Sequence, residues 1–211
     1  GVNEAGRVIP PDTSFILKDW SLRVDDLRAA FGDEGTRARR WGDLGLNGNW
    51  AERPINLHAP EAESGTGRHF RATVLGYSNR LAWPPFPGDP VPPRREAAEA
   101  EAAAALHHAL ARDPEGLAIG AAGASVRSVP IVGNDGVPVS LDAASVQAGR
   151  YPLARSVMAY HAASAGRPVH RETLAFLRFM LTPQAQLLAS AASDYLALPA
   201  GAAQEAGATL G

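Results

Sequence analysis

Ile55-Asn56-Leu57-His58-Ala59-Pro60-Glu61-Ala62-Glu63-Ser64-Gly65-Thr66-Gly67-Arg68-His69-Phe70 reads as a strand, a loop and the start of a helix. A short apolar run ends in a turn containing Ala and Pro. Ser-Gly-Thr-Gly follows, and then Phe70 and Val74 fall one helical turn apart. The first N–H groups of a helix have no intrahelical partner, and they lie at the positive end of the helix dipole. With the hydroxyls of Ser64 and Thr66 beside them, they make a pocket suited to an oxyanion. Gly65 and Gly67 let the backbone approach a ligand closely and adopt positive φ where needed. The same residues also suit a simple helix cap, in which the Ser64 hydroxyl serves only the backbone. This stretch alone leaves both readings open.

Outward from it, the flanking segments alternate between extended and helical patterns. Upstream, Leu22, Leu27 and Phe31 predict a short helix starting near Ser21, with Asp25 and Asp26 in its first turns. Residues 1–14 read as an extended lead-in and 32–40 as a charged loop. Trp41 to Trp50 is dense in turn formers, and its two tryptophans are expected to pack over the lobe. Arg53-Pro54 feeds a strand at Ile55–Leu57. Downstream, the prolines between Trp83 and Pro93 exclude helix. Residues 94–112 are rich in Ala and Glu and predict a helix that ends at Asp113-Pro114.

Strands are expected at 117–120, 129–132 and 151–160, with a turn at Asn134-Asp135-Gly136. A helix over 171–181 places Leu174, Leu177 and Leu181 on one face. Thr182-Pro183 starts another helix, ending near 192–194. Tyr195–Pro199 reads as extended and 200–211 as a frayed tail. Alternating strands and helices indicate an α/β fold.

The 211 residues carry 20 Lys and Arg against 22 Asp and Glu, a net charge of −2, which argues against a dedicated nucleic-acid binder. The absence of cysteine excludes disulfides, thiolate metal sites and cysteine nucleophiles. No apolar run is long enough to span a bilayer. No signal peptide is visible, and residue 1 need not be the start of the gene product. His107 and His108 are adjacent on a helix, so their side chains diverge by about 100° and do not share a metal. His161 and His170 lack metal spacing; His58 and His69 flank the Ser-Gly-Thr loop, where one could face a ligand, but they read first as satisfied structural histidines. Glu63-Ser64-Gly65 does not supply a nucleophile elbow, and no acid/base pair is legible, so no enzymatic activity is expected.

Six segments in register resemble a known family. They are WGDLG-x-x-G-x-W-x-x-RPI (Trp41 to Ile55), SGT-x-x-x-F (Ser64 to Phe70), DP-x-G-x-A-I-G (Asp113 to Gly120), G-x-YPLAR (Gly149 to Arg155), FLRFMLTP-x-x-Q (Phe176 to Gln186) and Y-x-x-LP (Tyr195 to Pro199). Together these resemble the phosphate-binding protein of the bacterial phosphate ABC importer, a type 2 periplasmic-binding-protein fold. The resemblance runs from about Asn3 to Pro199. It implies two α/β lobes closing around an anion, with Ser64, Gly65 and Thr66 as ligand-binding residues. It further implies a periplasmic or extracellular setting, a membrane permease as partner and no cofactor.

Two departures stand out. The family's Arg, and often Asp, shortly before Ser-Gly-Thr is replaced here by Ala59-Pro60-Glu61-Ala62-Glu63. A carboxylate at about 4 Å from a dianion costs up to a few kcal/mol at an effective dielectric near 20. Arg68, one turn into the helix, is the candidate that compensates. The family also has a further N-terminal portion. On that mapping residues 1–150 are the second lobe and residues 151–211 hold the return strand and C-terminal helices of the first. The expected architecture is therefore one complete lobe plus the C-terminal part of the other. Such a chain exposes the apolar faces of 171–192, which another chain or a second copy would cover. A divergent relative that uses its surface for protein contacts, without phosphate, is the alternative.

Overall fold

The computed structural model describes residues 20–78, 80–85, 98–120, 126–161, 169–192 and 195–210. The chain divides into two compact units. One comprises Gly1–Leu141 with Tyr151–Leu153, the other Asp142–Arg150 with Ala154–Gly211.

In the first unit, helix α1 spans Val24–Phe31, with Asp25 and Asp26 in its first turn and Leu27, Ala30 and Phe31 on its buried face. It starts later than Ser21 because Leu22 is claimed by an extended pairing. Leu22 N–H donates to Pro130 O at 3.0 Å, and Val132 N–H donates to Leu22 O at 2.8 Å. Two 3₁₀ turns follow, Trp41–Leu44 and Gly48–Trp50. Gly45 has φ +88° and begins a reversal that a side chain would strain. Both tryptophans are buried, as their apolar area demands. Their rings meet edge-to-face at 6.2 Å, and the Arg53 guanidinium lies 4.4 Å above Trp50. The N–H groups of Arg39 and Arg40 both donate to Asp43, which holds its carboxyl below the usual range.

Strand β1 (Asn56–His58) pairs in parallel with β2 (Gly116–Ala118), in register Asn56–Gly116, Leu57–Leu117 and His58–Ala118. A parallel pair needs a crossover. Here the intervening chain contains α2 (Gly65–Thr73) and α3 (Ala98–Ala111). Strands β3 (Ile131–Val132) and β4 (Pro138–Val139) form an antiparallel pair. The expected turn between them is present, with Val137 N–H donating to Asp135 Oδ1 at 3.0 Å. The core gathers Leu22, Phe31, Trp41, Trp50, Phe70, Val74, Leu117 and Ile131. The lead-in 1–14, the beginning of the expected helix at 94–97 and most of the Pro-rich connection lie outside the described residues.

The second unit is helical. The short helix α4 (Ala143–Gln147) is capped by Asp142, which accepts the Ser145 N–H at 2.7 Å. Helix α5 spans Arg171–Met180 and α6 spans Pro183–Ala192. Between them, Thr182 Oγ1 accepts the Ala185 N–H at 3.3 Å, as Thr182-Pro183 predicts. Leu174, Leu177 and Leu181 are half-buried on one side, while Phe176 and Phe179 are exposed on another. Among the described residues of this unit, Ala185 is the only buried hydrophobic.

Two expectations are overturned. The strand over 151–160 does not form: 151–153 is a turn, and 154–160 has no regular structure. Tyr151 and Leu153 instead pack against the core of the first unit. No described strand pairs with 154–160, and an isolated strand leaves its backbone groups to water. The tail over 200–211 is not frayed: α7 spans Ala200–Ala208. Its alanines favour helix, and Arg178 Nη2 donates to Leu210 O at 3.0 Å.

Candidate functional site

The loop between β1 and α2 is fastened at each step. Ala59 is fully buried. The Trp83 indole N–H donates to Pro60 O at 2.9 Å. Ser64 N–H donates to Glu61 O at 3.0 Å, closing a tight turn. Ser64 is then the cap of α2, with extended φ −64° and ψ 161°, and its Oγ accepts the Gly67 N–H at 3.0 Å.

Gly67 is where glycine is required. A Cβ there would lie 2.4 Å from Glu61 O and 2.7 Å from Ala62 O. The close approach foreseen for a ligand is therefore an approach to the chain's own carbonyls. Neither Gly65 nor Gly67 has positive φ. The other end of α2 is tied by Arg28 Nε, which donates to Val74 O at 2.9 Å. Phe70 and Val74 are buried on the inner face, as their spacing predicts.

The rim of the turn faces water. Ser64 and Thr66 are half-buried and Gly65 is exposed. The Ser64 hydroxyl accepts one bond and keeps its own hydrogen to donate. The Thr66 N–H, second in the helix, has no partner among the described residues. The structure therefore brings Ser64, Gly65 and Thr66 together at one solvent-facing helix start.

Arg68 is placed differently. Its Nε donates to Glu63 Oε2 at 3.2 Å, and its side chain is exposed. Arg71, a residue the sequence reading missed, donates from Nη1 to Glu63 Oε1 at 2.8 Å. The signal for it was available: helical side chains lean toward the N-terminus, and Arg71 lies one turn beyond Arg68 on the same face. Glu63, expected to repel an anion, is thus neutralised by two guanidinium groups. Arg71 Nε is buried and has no partner among the described residues.

Both flanking histidines are satisfied, as expected. His58 Nε2 lies 2.8 Å from Asp113 Oδ2, and Asp113 Oδ1 also accepts from Asn56 Nδ2 at 3.0 Å and from Glu115 N–H at 3.1 Å. Asp113 O also accepts the Gly116 N–H at 3.1 Å, so Asp113 ties the start of β2 to β1. His69 Nε2 lies 3.1 Å from Leu153 O. Among the described residues no three His, Cys, Asp or Glu groups gather as a metal site, and no helix is long and apolar enough to cross a membrane.

No protein-family model matches the chain. It is 28% identical over 172 residues to the phosphate-binding protein PstS of Pseudomonas aeruginosa strain PAO1, covering 80% of this chain and 49% of that one. The PstS of strain UCBPP-PA14 gives the same figures. The chain thus spans about half the length of the curated relatives it matches. A solved structure described as a possible phosphate binding protein from Planctomyces limnophilus DSM 3776 superimposes with TM-score 0.60 at 18% identity, over 96% of this chain and 68% of the other. The chain therefore has the mixed α/β architecture of that binding-protein structure, and in sequence it is similar to phosphate-binding proteins.

Proposed function

We propose that this chain is an extracytoplasmic solute-binding protein that holds phosphate or a related oxyanion at the start of α2 and delivers it to an ABC permease. The observation that carries this reading is the solvent-facing Ser64–Thr66 turn, in a chain similar to proteins named for phosphate binding. The Ser64 hydroxyl and the Thr66 N–H supply donors, Gly65 between them is exposed, and the helix dipole favours negative charge. Arg68 adds a nearby cation. In this reading the first unit is the lobe that carries the site, and α5 and α6 belong to the other lobe. Function comes from closure around the ligand, with no cofactor and no bond chemistry.

Isothermal titration with inorganic phosphate tests it. Wild-type chain is expected to give saturable heat, and Ser64→Ala to bind about 10- to 100-fold more weakly, as for loss of one hydrogen bond to a charged group. Ser64→Ala also loses a helix cap, about 1 kcal/mol. Ser64→Asp separates the effects, since aspartate caps well but repels an anion: melting is retained and binding is lost. Absence of heat from wild-type chain at millimolar phosphate removes phosphate as the ligand.

A second reading, a protein-contact module, draws on the apolar surface of the second unit. Phe176, Phe179, Leu187 and Leu188 are all exposed on α5 and α6. Surfaces of this kind mark contact sites when they form continuous patches. Sedimentation velocity is expected to show concentration-dependent self-association on this reading. A monodisperse monomer across the concentration range removes self-association through these helices.

A further inference from the structure

We infer that Glu63 is an internal competitor for the oxyanion: its carboxylate occupies the Arg68–Arg71 pair and must release it before a ligand at Ser64–Thr66 can use either guanidinium. This inference rests on the proposed oxyanion site and names how that site is regulated. Glu63 directly precedes the cap Ser64, so its carboxylate is tethered beside the turn. It spans the two arginines, one to each oxygen, Arg68 Nε at 3.2 Å and Arg71 Nη1 at 2.8 Å. A carboxylate bridging two cations at a helix start mimics the charge and acceptor geometry of a bound oxyanion.

The bridge is easily opened. The Glu63 side chain is 69% exposed and that of Arg68 67%, so water can replace their contact at little cost. Arg71 is the more committed partner, its side chain only 18% exposed. Its buried Nε finds no acceptor among the described residues, so Glu63 is the one described group that holds its charge. With Glu63 in place, the two carboxylates Glu61 and Glu63 cancel the two arginines Arg68 and Arg71. With Glu63 neutral, the surroundings of the turn carry a net positive charge.

The test is titration of inorganic phosphate into wild type, Glu63→Gln, Arg68→Gln and the Glu63→Gln/Arg68→Gln pair. Glutamine retains the shape of an exposed side chain, so folding is preserved, which a melting curve checks. Glu63→Gln is expected to tighten binding roughly three- to tenfold, since exposed ion pairs of this kind are individually weak. That gain is expected to shrink in the Arg68→Gln background, because one of the freed cations is gone. Binding seen only in Glu63→Gln supports the competitor role in its strongest form. Wild-type binding with no gain, or a loss, in Glu63→Gln overturns the competitor role and leaves the site intact. No binding by any of the four chains overturns the oxyanion site and the inference with it.

Discussion

Gly67→Ala is expected to lower stability by about 3 kcal/mol, the upper range for forcing a methyl group into packed space. For a chain of this size that is a melting temperature roughly 6–12 °C lower. The new Cβ would meet Glu61 O at 2.4 Å and Ala62 O at 2.7 Å, and both are backbone atoms that no rotamer change can move. Either the turn opens or α2 starts later. Both outcomes break the Gly67 N–H bond to Ser64 Oγ and disperse the donors proposed to hold an anion. Phosphate binding is therefore expected to fall by more than in Ser64→Ala. Circular-dichroism melting and titration on the same samples check this. An unchanged melting temperature would mean that the 61–62 carbonyls yield freely, and that the turn is not a rigid platform.

Phe31→Ala is expected to cost about 4 kcal/mol, within the range for removing a buried phenyl group. Phe31 is fully buried, with its ring 5.3 Å from Phe70 edge-on and 6.1 Å from Trp83. Those two neighbours act on the site from opposite ends. Phe70 seats the inner face of α2, and Trp83 holds Pro60 at the start of the loop. A cavity at Phe31 therefore loosens the loop and the helix together. Denaturant unfolding measures the loss. Phe176→Ala is the control: that ring is 60% exposed, and its removal is expected to change stability by less than about 0.5 kcal/mol. Equal losses in the two variants would contradict the placement of the core.

Much of the first unit was legible because its signals are local. The spacing of Leu27, Phe31, Phe70 and Val74 marks helix faces, Ser64 marks a cap, and Asn134-Asp135-Gly136 marks a turn. Each is decided within a few residues by periodicity or hydrogen-bonding chemistry. One error fell where the outcome depends on partners far along the chain, the other where local propensity was underweighted. Tyr151 and Leu153 have strand-like composition, but they pack as a turn on a core formed by much earlier residues. The tail forms a helix because alanine propensity suffices there. At the candidate site, the hydroxyls and amides could be named in advance, whereas the pairing of Glu63 with both Arg68 and Arg71 showed only in the structure, although their spacing hinted at it.

By itself the sequence determined the α/β character, the helix start at Ser64 and the presence of Glu61 and Glu63, with no arginine, in the run just before it. Only the tertiary structure decided that Glu63 is held by Arg68 and Arg71, that Gly67 is pressed against the carbonyls of Glu61 and Ala62, and that Asp113, in the turn before β2, is bound to His58 and Asn56 of β1. Caps and periodicity act within one or two helical turns, whereas an ion pair or a steric contact depends on where flexible side chains and distant backbone meet once the chain is packed.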